Sequence, residues 1–295
     1  MDAVEKIIAL GAIPGIGSRT IHHAYEFFGG LEQPSMEDLL RFVQMLQKST
    51  VKKHVLEQAL RKKDRILETC HRSNIRPVSF DQPNYPPKFG RLDVRPSILY
   101  VKGNEKLLAN KESIGIIGTR KPSQEGRERA FRFAKRAGER GHTIISGLAA
   151  GCDTYAHMGS LDTTGRTMAI MPGGINRVYP AINEELAIRI LDNQGLLVSE
   201  YEPDEKPEQY KFIARDRLQA IFSNRMLVVE TDIVGGTMHT VNFAKDLDKP
   251  IAVVGYPNMD PNSRRGNRVL MIHPDYRIRC IENDGDLDRY LHEKT

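Results

Sequence analysis

The chain has 295 residues, a formal charge of +5, 40% hydrophobic residues, three cysteines and no tryptophan. That length leaves room for one large domain or two smaller ones, and no apolar run approaches the ~18–20 residues of a membrane span. The mildly basic balance permits an acidic partner without demanding one. Cys70, Cys152 and Cys280 are far apart and odd in number, which argues for a reducing cytoplasm and against a disulfide frame or a zinc site. The N-terminus carries two acids in its first five residues and a short apolar stretch, unlike a secretory signal.

Residues 1–72 are expected to be helical. Val4, Ile7, Ile8, Ile13, Ile16 and Ile21, and then Leu39, Leu40, Val43 and Leu46, recur near the helical period. Turn signals at Pro14-Gly15, Gly29-Gly30 and Gln33-Pro34-Ser35 separate the helices. Residues 52–68 predict a longer, charged amphipathic helix with Val55, Leu56, Ala59, Leu60, Ile66 and Leu67 on its apolar side. Residues 74–96 hold Pro77, Pro83, Pro86, Pro87 and Pro96, so they form no single helix. They suggest an extended connector, followed by a short strand at 97–101.

From Ser113 the rhythm becomes strand, glycine turn, helix. Apolar runs at 114–117, 143–145, 167–171, 196–199, 226–230 and 251–254 predict strands, with helices at 124–140 and 152–163. Short apolar strands alternating with helices indicate a mostly parallel sheet covered on both faces. The expected fold class is therefore α/β. Residues 1–72 are a small all-helical domain, 73–285 an extended Rossmann-like domain, and 286–295 a tail.

Ligands of such a sheet sit at the carboxyl ends of its strands. Small-residue turns stand at four of those ends: Gly118-Thr119, Ser146-Gly147, Gly173-Gly174 and Gly235-Gly236-Thr237. A helix is expected after each, with free N–H groups and a dipole that favour an anion. Together they predict a site for phosphate. The dinucleotide fingerprint fits poorly. Gly115 lies inside the strand, no third glycine follows at the usual offset, and the second strand ends at Ser146 rather than at an acid. The GxxxxGK[ST] pattern is absent, and neither a cofactor nor a metal is expected. Cations gather at residues 52–65, 120–140, 211–225 and 264–268. Arg120 and Lys121 extend the first turn and Arg177 follows the third. Tyr210, Lys211, Phe212, Arg215 and Arg217 interleave aromatic with cationic side chains, which suits phosphates and unpaired bases.

Five stretches in order carry a resemblance. They are Ile-Ile-Gly-Thr-Arg-Lys-Pro from Ile116, Ile-Ile-Ser-Gly-Leu-Ala-Ala-Gly-Cys-Asp-Thr-Tyr-Ala-His from Ile144, Val-Tyr-Pro-Ala-Ile-Asn from Val178, Ser-Glu-Tyr-Glu-Pro from Ser199 and Ala-Arg-Asp-Arg from Ala214. Over about residues 75–267 the chain resembles the DprA/Smf family of DNA-processing proteins. The resemblance implies a Rossmann-like core that binds single-stranded DNA, commonly as a homodimer, and loads a RecA-type recombinase in transformation, without catalysis. It implies phosphate contacts at Gly118 and Arg120, a second turn at Ser146 and Gly147, and a third at Gly173 and Gly174. Phe212, Arg215 and Arg217 match the family's Phe-Pro-x-Arg-Asn-Arg segment, and Gly235, Gly236 and Thr237 its Ser-Gly-Ser/Thr turn. Ala150 and Ala181 stand where members often carry cations, Asp216 replaces an Asn and Asn176 an Asp. Arg177, Lys211 and Lys121 are candidates to compensate. The chain ends soon after the core, so no winged-helix tail is expected. A divergent, mobile-element or defence-associated relative would bind single strands without necessarily loading RecA.

Other constellations have alternative readings. Residues 13–19 resemble a helix-hairpin-helix turn, which is equally a packing unit between helices. Cys152, Asp153 and His157 form a conceivable nucleophile and base, but Asp153 also suits a helix cap. His22, His23 and His54 lack metal-ligand spacing. Glu230 and Asp232 offer two acids for glycosidic cleavage, the basis of the rival reading as a nucleotide sensor or a phosphoribohydrolase-like enzyme. Against it, Pro172-Gly173-Gly174 begins the loop of such enzymes but Ile175-Asn176-Arg177 does not continue it.

Overall fold

A computed structural model of the chain describes residues 1–29, 34–91, 95–163, 165–258, 262–273 and 278–293. The expected turn residues Gly30 and Gln33 and the last two residues of the expected tail lie outside that set. The chain forms two compact units, Met1–Val101 and Lys102–Thr295.

The first unit holds α1 (Ala3–Gly11), α2 (Ser18–Phe27), α3 (Met36–Gln47) and α4 (Lys53–Arg72). Asp2 and Glu5 cap the start of α1 reciprocally, each accepting from the other's backbone N–H at 2.8 Å. Ser35 and Asp38 do the same for α3. Ile7, Leu10, Ile21, Leu39, Val43, Ala59 and Ile66 form the buried stripe. In the turn at 13–19, Ile13 and Ile16 are buried and the Gly15 carbonyl accepts from Gln47 Nε2 at 2.8 Å. The proline-rich segment contains β1 (Arg76–Ser79), antiparallel to β2 (Ile98–Gly103). Its two buried aromatics, Tyr85 and Phe89, lie with ring centres 5.2 Å apart, and Tyr85 Oη donates to the Pro96 carbonyl at 2.6 Å. The prolines exclude a helix, but they leave a strand edge open to pairing.

The second unit runs β3 (Ser113–Ile117), α5 (Gln124–Glu139), β4 (Thr143–Ser146), α6 (Cys152–Leu161), β5 (Thr167–Ile170), α7 (Glu184–Asp192), β6 (Leu196–Ser199), α8 (Gln209–Phe222), β7 (Arg225–Val228), α9 (Gly236–Asp246), β8 (Ile251–Val254), α10 (Arg265–Ile272), β9 (Ile278–Ile281) and α11 (Asp284–His292). Its strands pair in parallel in the order β6-β5-β4-β3-β7-β8-β9. Alternate side chains serve opposite faces. Ile114, Ile116, Leu227, Val229, Ala252 and Val254 pack against Phe133 of α5 and Leu287 and Tyr290 of α11. Ile117, Met226, Val228, Ile251 and Val253 pack against Ala220, Val241, Ala244 and Leu270 of α8, α9 and α10.

The α11 helix occupies most of the segment expected to be a tail. Tyr290 Oη donates to the Met226 and Pro250 carbonyls at 2.9 and 2.8 Å, and Asp288 pairs with Arg136 and Arg140 at 2.7 and 2.5 Å.

Candidate nucleic-acid interface

Strand order creates the crevice. From β3 the chain moves outward through β4 and β5 to β6, then returns to β7 on the other side of β3. The helix after β3 covers one face and the helix after β7 covers the other. The connections therefore diverge and leave an opening at the carboxyl ends of β3 and β7.

A cleft of about 350 Å³ occupies that opening. Gly118, Thr119, Arg120 and Lys121 line it after β3, and Gly235, Gly236 and Thr237 line it at the start of α9. Phe212, Arg215, Asp216 and Gln219 line it from α8, and Ala149 and Asp153 from the segment after β4. The α8 set falls at i, i+3, i+4 and i+7, one face of a helix. Gly235 has φ +155° and no side-chain cap closes the first turn of α9. Met238 N donates to the Gly235 carbonyl at 3.1 Å, and the leading N–H groups of that turn, at Gly236 and Thr237, favour an anion. Arg120 and Lys121 are exposed. The Arg120 guanidinium carbon lies 5.1 Å from the Phe212 ring centre, and Tyr179 meets that ring edge-on at 5.4 Å. The cation is thereby held over an aromatic face at the rim.

The floor is a buried charge array. Arg215 is 5% exposed; its Nη1 lies 3.6 Å from Asp153 Oδ2 and its Nε 3.3 Å from Asp216 Oδ1. With its amide oxygen turned inward, Gln219 accepts from Gly147 N at 2.7 Å and from Arg215 Nη1 at 3.2 Å. A Cβ on Gly147 would fall 1.2 Å from Arg215 Nη1, so only glycine admits the guanidinium. Gly147 and Ala149 N–H also donate to Asp153 at 3.0 and 3.4 Å. Burial pushes the Asp153 pKa up, against the opposing pull of Arg215. Burial likewise raises Asp216 to about 6; the neighbouring Asp153 adds to this, while Arg215, His239 and Arg120 oppose it.

Behind the first turn, Glu230 is fully buried. It accepts from Arg264 Nε at 2.8 Å and from Ser123 Oγ and N at 2.6 and 2.8 Å. Its own carbonyl accepts from Thr119 N at 2.7 Å. Arg264 also stacks on Tyr256, 3.7 Å from the ring centre. Asp232 pairs with Arg265 at 3.0 Å. The two acids of the rival reading are thus committed to separate ion pairs, and neither lines the cleft. Cys152 and His157 are fully buried. Burial pushes the thiol up and, with Arg215, holds the imidazole down at about 3. His157 Nε2 accepts from Leu148 N at 3.3 Å. Among the described residues no group of three or more His, Cys, Asp or Glu is placed to hold a metal ion.

The structure brings Gly118, Arg120, Lys121, Phe212, Arg215, Gly235, Gly236 and Thr237 together. Ser146 and Gly147 lie beneath them, with Ser146 Oγ donating to the Ile116 carbonyl at 2.7 Å. Gly173 and Gly174 are buried under residues 202–207, where Gly174 N donates to the Glu205 carbonyl at 2.8 Å. Contrary to expectation, no helix starts directly after this turn; the next elements are a 3-10 turn at Ala181–Asn183 and then α7. Arg177 is exposed and donates to the Asp204 carbonyl at 3.4 Å. Lys211 is wholly buried and pairs with Glu205 and Glu208 at 2.7 and 2.8 Å. Arg217 pairs with Glu200 at 2.9 Å. Lys211, Arg217 and Arg177 do not line the cleft. A helix of period 3.6 cannot aim 211, 212, 215 and 217 at one ligand. Helical phasing over residues 209–222 is the signal that separates them, and it also identifies Asp216 and Gln219.

A model of the DNA recombination-mediator protein A family matches residues 76–280. The chain is 29% identical to the DNA processing protein DprA of Bacillus subtilis over 232 residues, 77% of this chain and 78% of that protein. It is 32% identical to the Smf protein of Synechocystis over 223 residues, 74% of this chain but only 54% of that protein. The crystal structure of DprA from Streptococcus pneumoniae shares the fold, with a TM-score of 0.80 over 98% of both chains at 22% identity. DNA processing protein A from Helicobacter pylori, whose structure describes a single-stranded DNA binding mode, matches 73% of this chain and 96% of its own with a TM-score of 0.64 at 28% identity. The match of the family model across most of the chain, on the same strands and turns that build the cleft, shows that this chain belongs to the DNA recombination-mediator protein A family, the DprA/Smf proteins.

Proposed function

We propose that the chain binds single-stranded DNA along the β3–β7 crevice and serves DNA processing and recombination without catalysing a reaction. One observation carries this reading. Arg120, stacked on Phe212, stands beside the uncapped first turn of α9 at Gly235-Gly236-Thr237. A cation, an anion-seeking helix start and an aromatic face within one open cleft suit a phosphate with a neighbouring unpaired base. The Helicobacter pylori relative, described as binding single-stranded DNA, supports the same use here. The DNA-facing set is Gly118, Arg120, Lys121, Phe212, Arg215, Gly235, Gly236 and Thr237, with Ser146 and Gly147 supporting the floor.

The chemistry of the acids supports binding over catalysis. Glu230 and Asp232 are held in ion pairs, and Cys152 is buried with its thiol pKa raised. A RecA-type recombinase as partner, a homodimer and a cytoplasmic location complete the proposal. Among the described residues no helix is long and apolar enough to cross a membrane.

Anisotropy of a labelled oligo-dT across a salt series tests the reading. Affinity is expected to fall linearly on a log–log plot as salt rises, because phosphate contacts release counterions. Salt-independent binding sinks the proposal. Thermal-shift screening of mononucleotides tests the enzyme alternative: a large shift with a mononucleotide and none with the oligonucleotide would favour it. Strand exchange with and without RecA, and light scattering of the purified chain, test the partner and the dimer.

A further inference from the structure

The cleft floor contains a carboxylate in a place that suits an anion. Asp216 is 5% exposed and lines the cleft beside Arg215. A Cβ on Gly236 would lie 3.7 Å from Asp216 Oδ2, so the carboxylate faces the first turn of α9, which has no side-chain cap. Charged and titratable groups face it from several elements. Arg215 comes from its own helix, α8, Asp153 from α6, His239 from α9 and Arg120 from the turn after β3. Lys121 also lines the cleft. Arg215 touches both carboxylates, so this cation is already engaged by internal anions.

We propose that Asp216 is a proton-controlled brake on phosphate binding: ionised, its carboxylate repels phosphate at the start of α9 and competes for Arg215, and protonated, it frees the start of α9 and removes one of the two internal anions that hold Arg215. This deepens, and rests on, the reading of the cleft as a single-strand site.

The sign follows from linkage. An arriving phosphate is repelled by the ionised carboxylate and tolerated by the neutral acid, so binding takes up a proton. Affinity therefore rises as pH falls through the range where Asp216 titrates, and burial has moved that range up to about 6. Asp153 is deeper, with its oxygen on Gly147 and Ala149 N–H. Protonating Asp216 therefore leaves Arg215 one internal partner rather than none.

The test is oligo-dT anisotropy at constant ionic strength between about pH 7.5 and about pH 5.5, with the wild-type chain, D216N and H239Q. The wild type is expected to gain roughly tenfold in affinity on acidification, the effect of one unit charge at short, partly screened range. D216N, which keeps the shape and removes the charge, is expected to bind at about pH 7.5 as tightly as the wild type does at about pH 5.5 and to respond little to pH. H239Q, which removes the neighbouring imidazole, is the control, and it is expected to keep most of the gain. Salt-dependent wild-type binding that is flat with pH overturns the brake, as does a pH response that D216N retains and H239Q loses. If neither the wild type nor D216N binds the oligonucleotide at any pH, the single-strand reading itself fails, and the brake with it. A wild-type pH series that is flat overturns the brake even if D216N is poorly folded.

Discussion

Replacing Arg264 by alanine examines how the first turn is held. Glu230 is fully buried, and Arg264 Nε stands 2.8 Å from it. Removing one partner of a buried pair costs about 3–5 kcal/mol, because the remaining charge is left without compensation. Two donors from Ser123 stay on the carboxylate at 2.6 and 2.8 Å, which places the electrostatic loss near the lower end. The lost stack of Arg264 on Tyr256 at 3.7 Å adds about 1 kcal/mol. R264A is thus expected to lose about 4 kcal/mol, or roughly 8–16 °C in Tm for a unit of this size. Urea unfolding followed by circular dichroism measures it. A cycle with E230Q separates the pair from the packing, with an expected coupling of about 2 kcal/mol. Because the Glu230 carbonyl holds Thr119 N at 2.7 Å, the variant should also bind oligo-dT more weakly. A loss below about 1 kcal/mol with additive single variants would refute the reasoning, since Ser123 alone would then satisfy the carboxylate.

R120A is expected to weaken oligo-dT binding and reduce the slope of log affinity against log salt by about 0.7, one phosphate contact to a single strand. An unchanged slope would place the strand elsewhere. G147A sets a methyl 1.2 Å from Arg215 Nη1, so the guanidinium must leave Asp153 and Asp216. About 3 kcal/mol of stability should be lost in urea titrations, and a neutral result would mean that Arg215 is not fixed there. Asp288 is held down at about 2, first by its hydrogen bond to Arg136 and then by Arg140, with burial opposing. A lowered carboxylate stabilises the fold above its unfolded value near 3.9 and loses that contribution as pH falls through about 2. D288N should therefore cost up to about 1 kcal/mol at neutral pH after solvent screening. The difference from the wild type should vanish in acid, and one that persists there would point to packing instead.

The alternation of apolar runs with glycine turns determined the parallel α/β core, because strand and helix periods are local properties of the chain. It also placed Gly118, Arg120 and Gly235-Gly236-Thr237 at strand ends, and the five ordered motifs pointed to the family. Sequence order alone cannot say which strand ends are neighbours. That depends on β7 returning to pair with β3, a long-range pairing that joins the first and fourth turns and leaves Gly173 and Gly174 under residues 202–207. The cationic segment at 210–217 shows the same division. Its composition announced a basic, aromatic surface. Helical rotation then sent Phe212, Arg215 and Asp216 to the cleft, buried Lys211 between Glu205 and Glu208 and turned Arg217 to Glu200. Formal charge is fixed by residue type. Whether a cation meets a ligand or an internal carboxylate depends on burial and neighbours, which only the folded chain supplies.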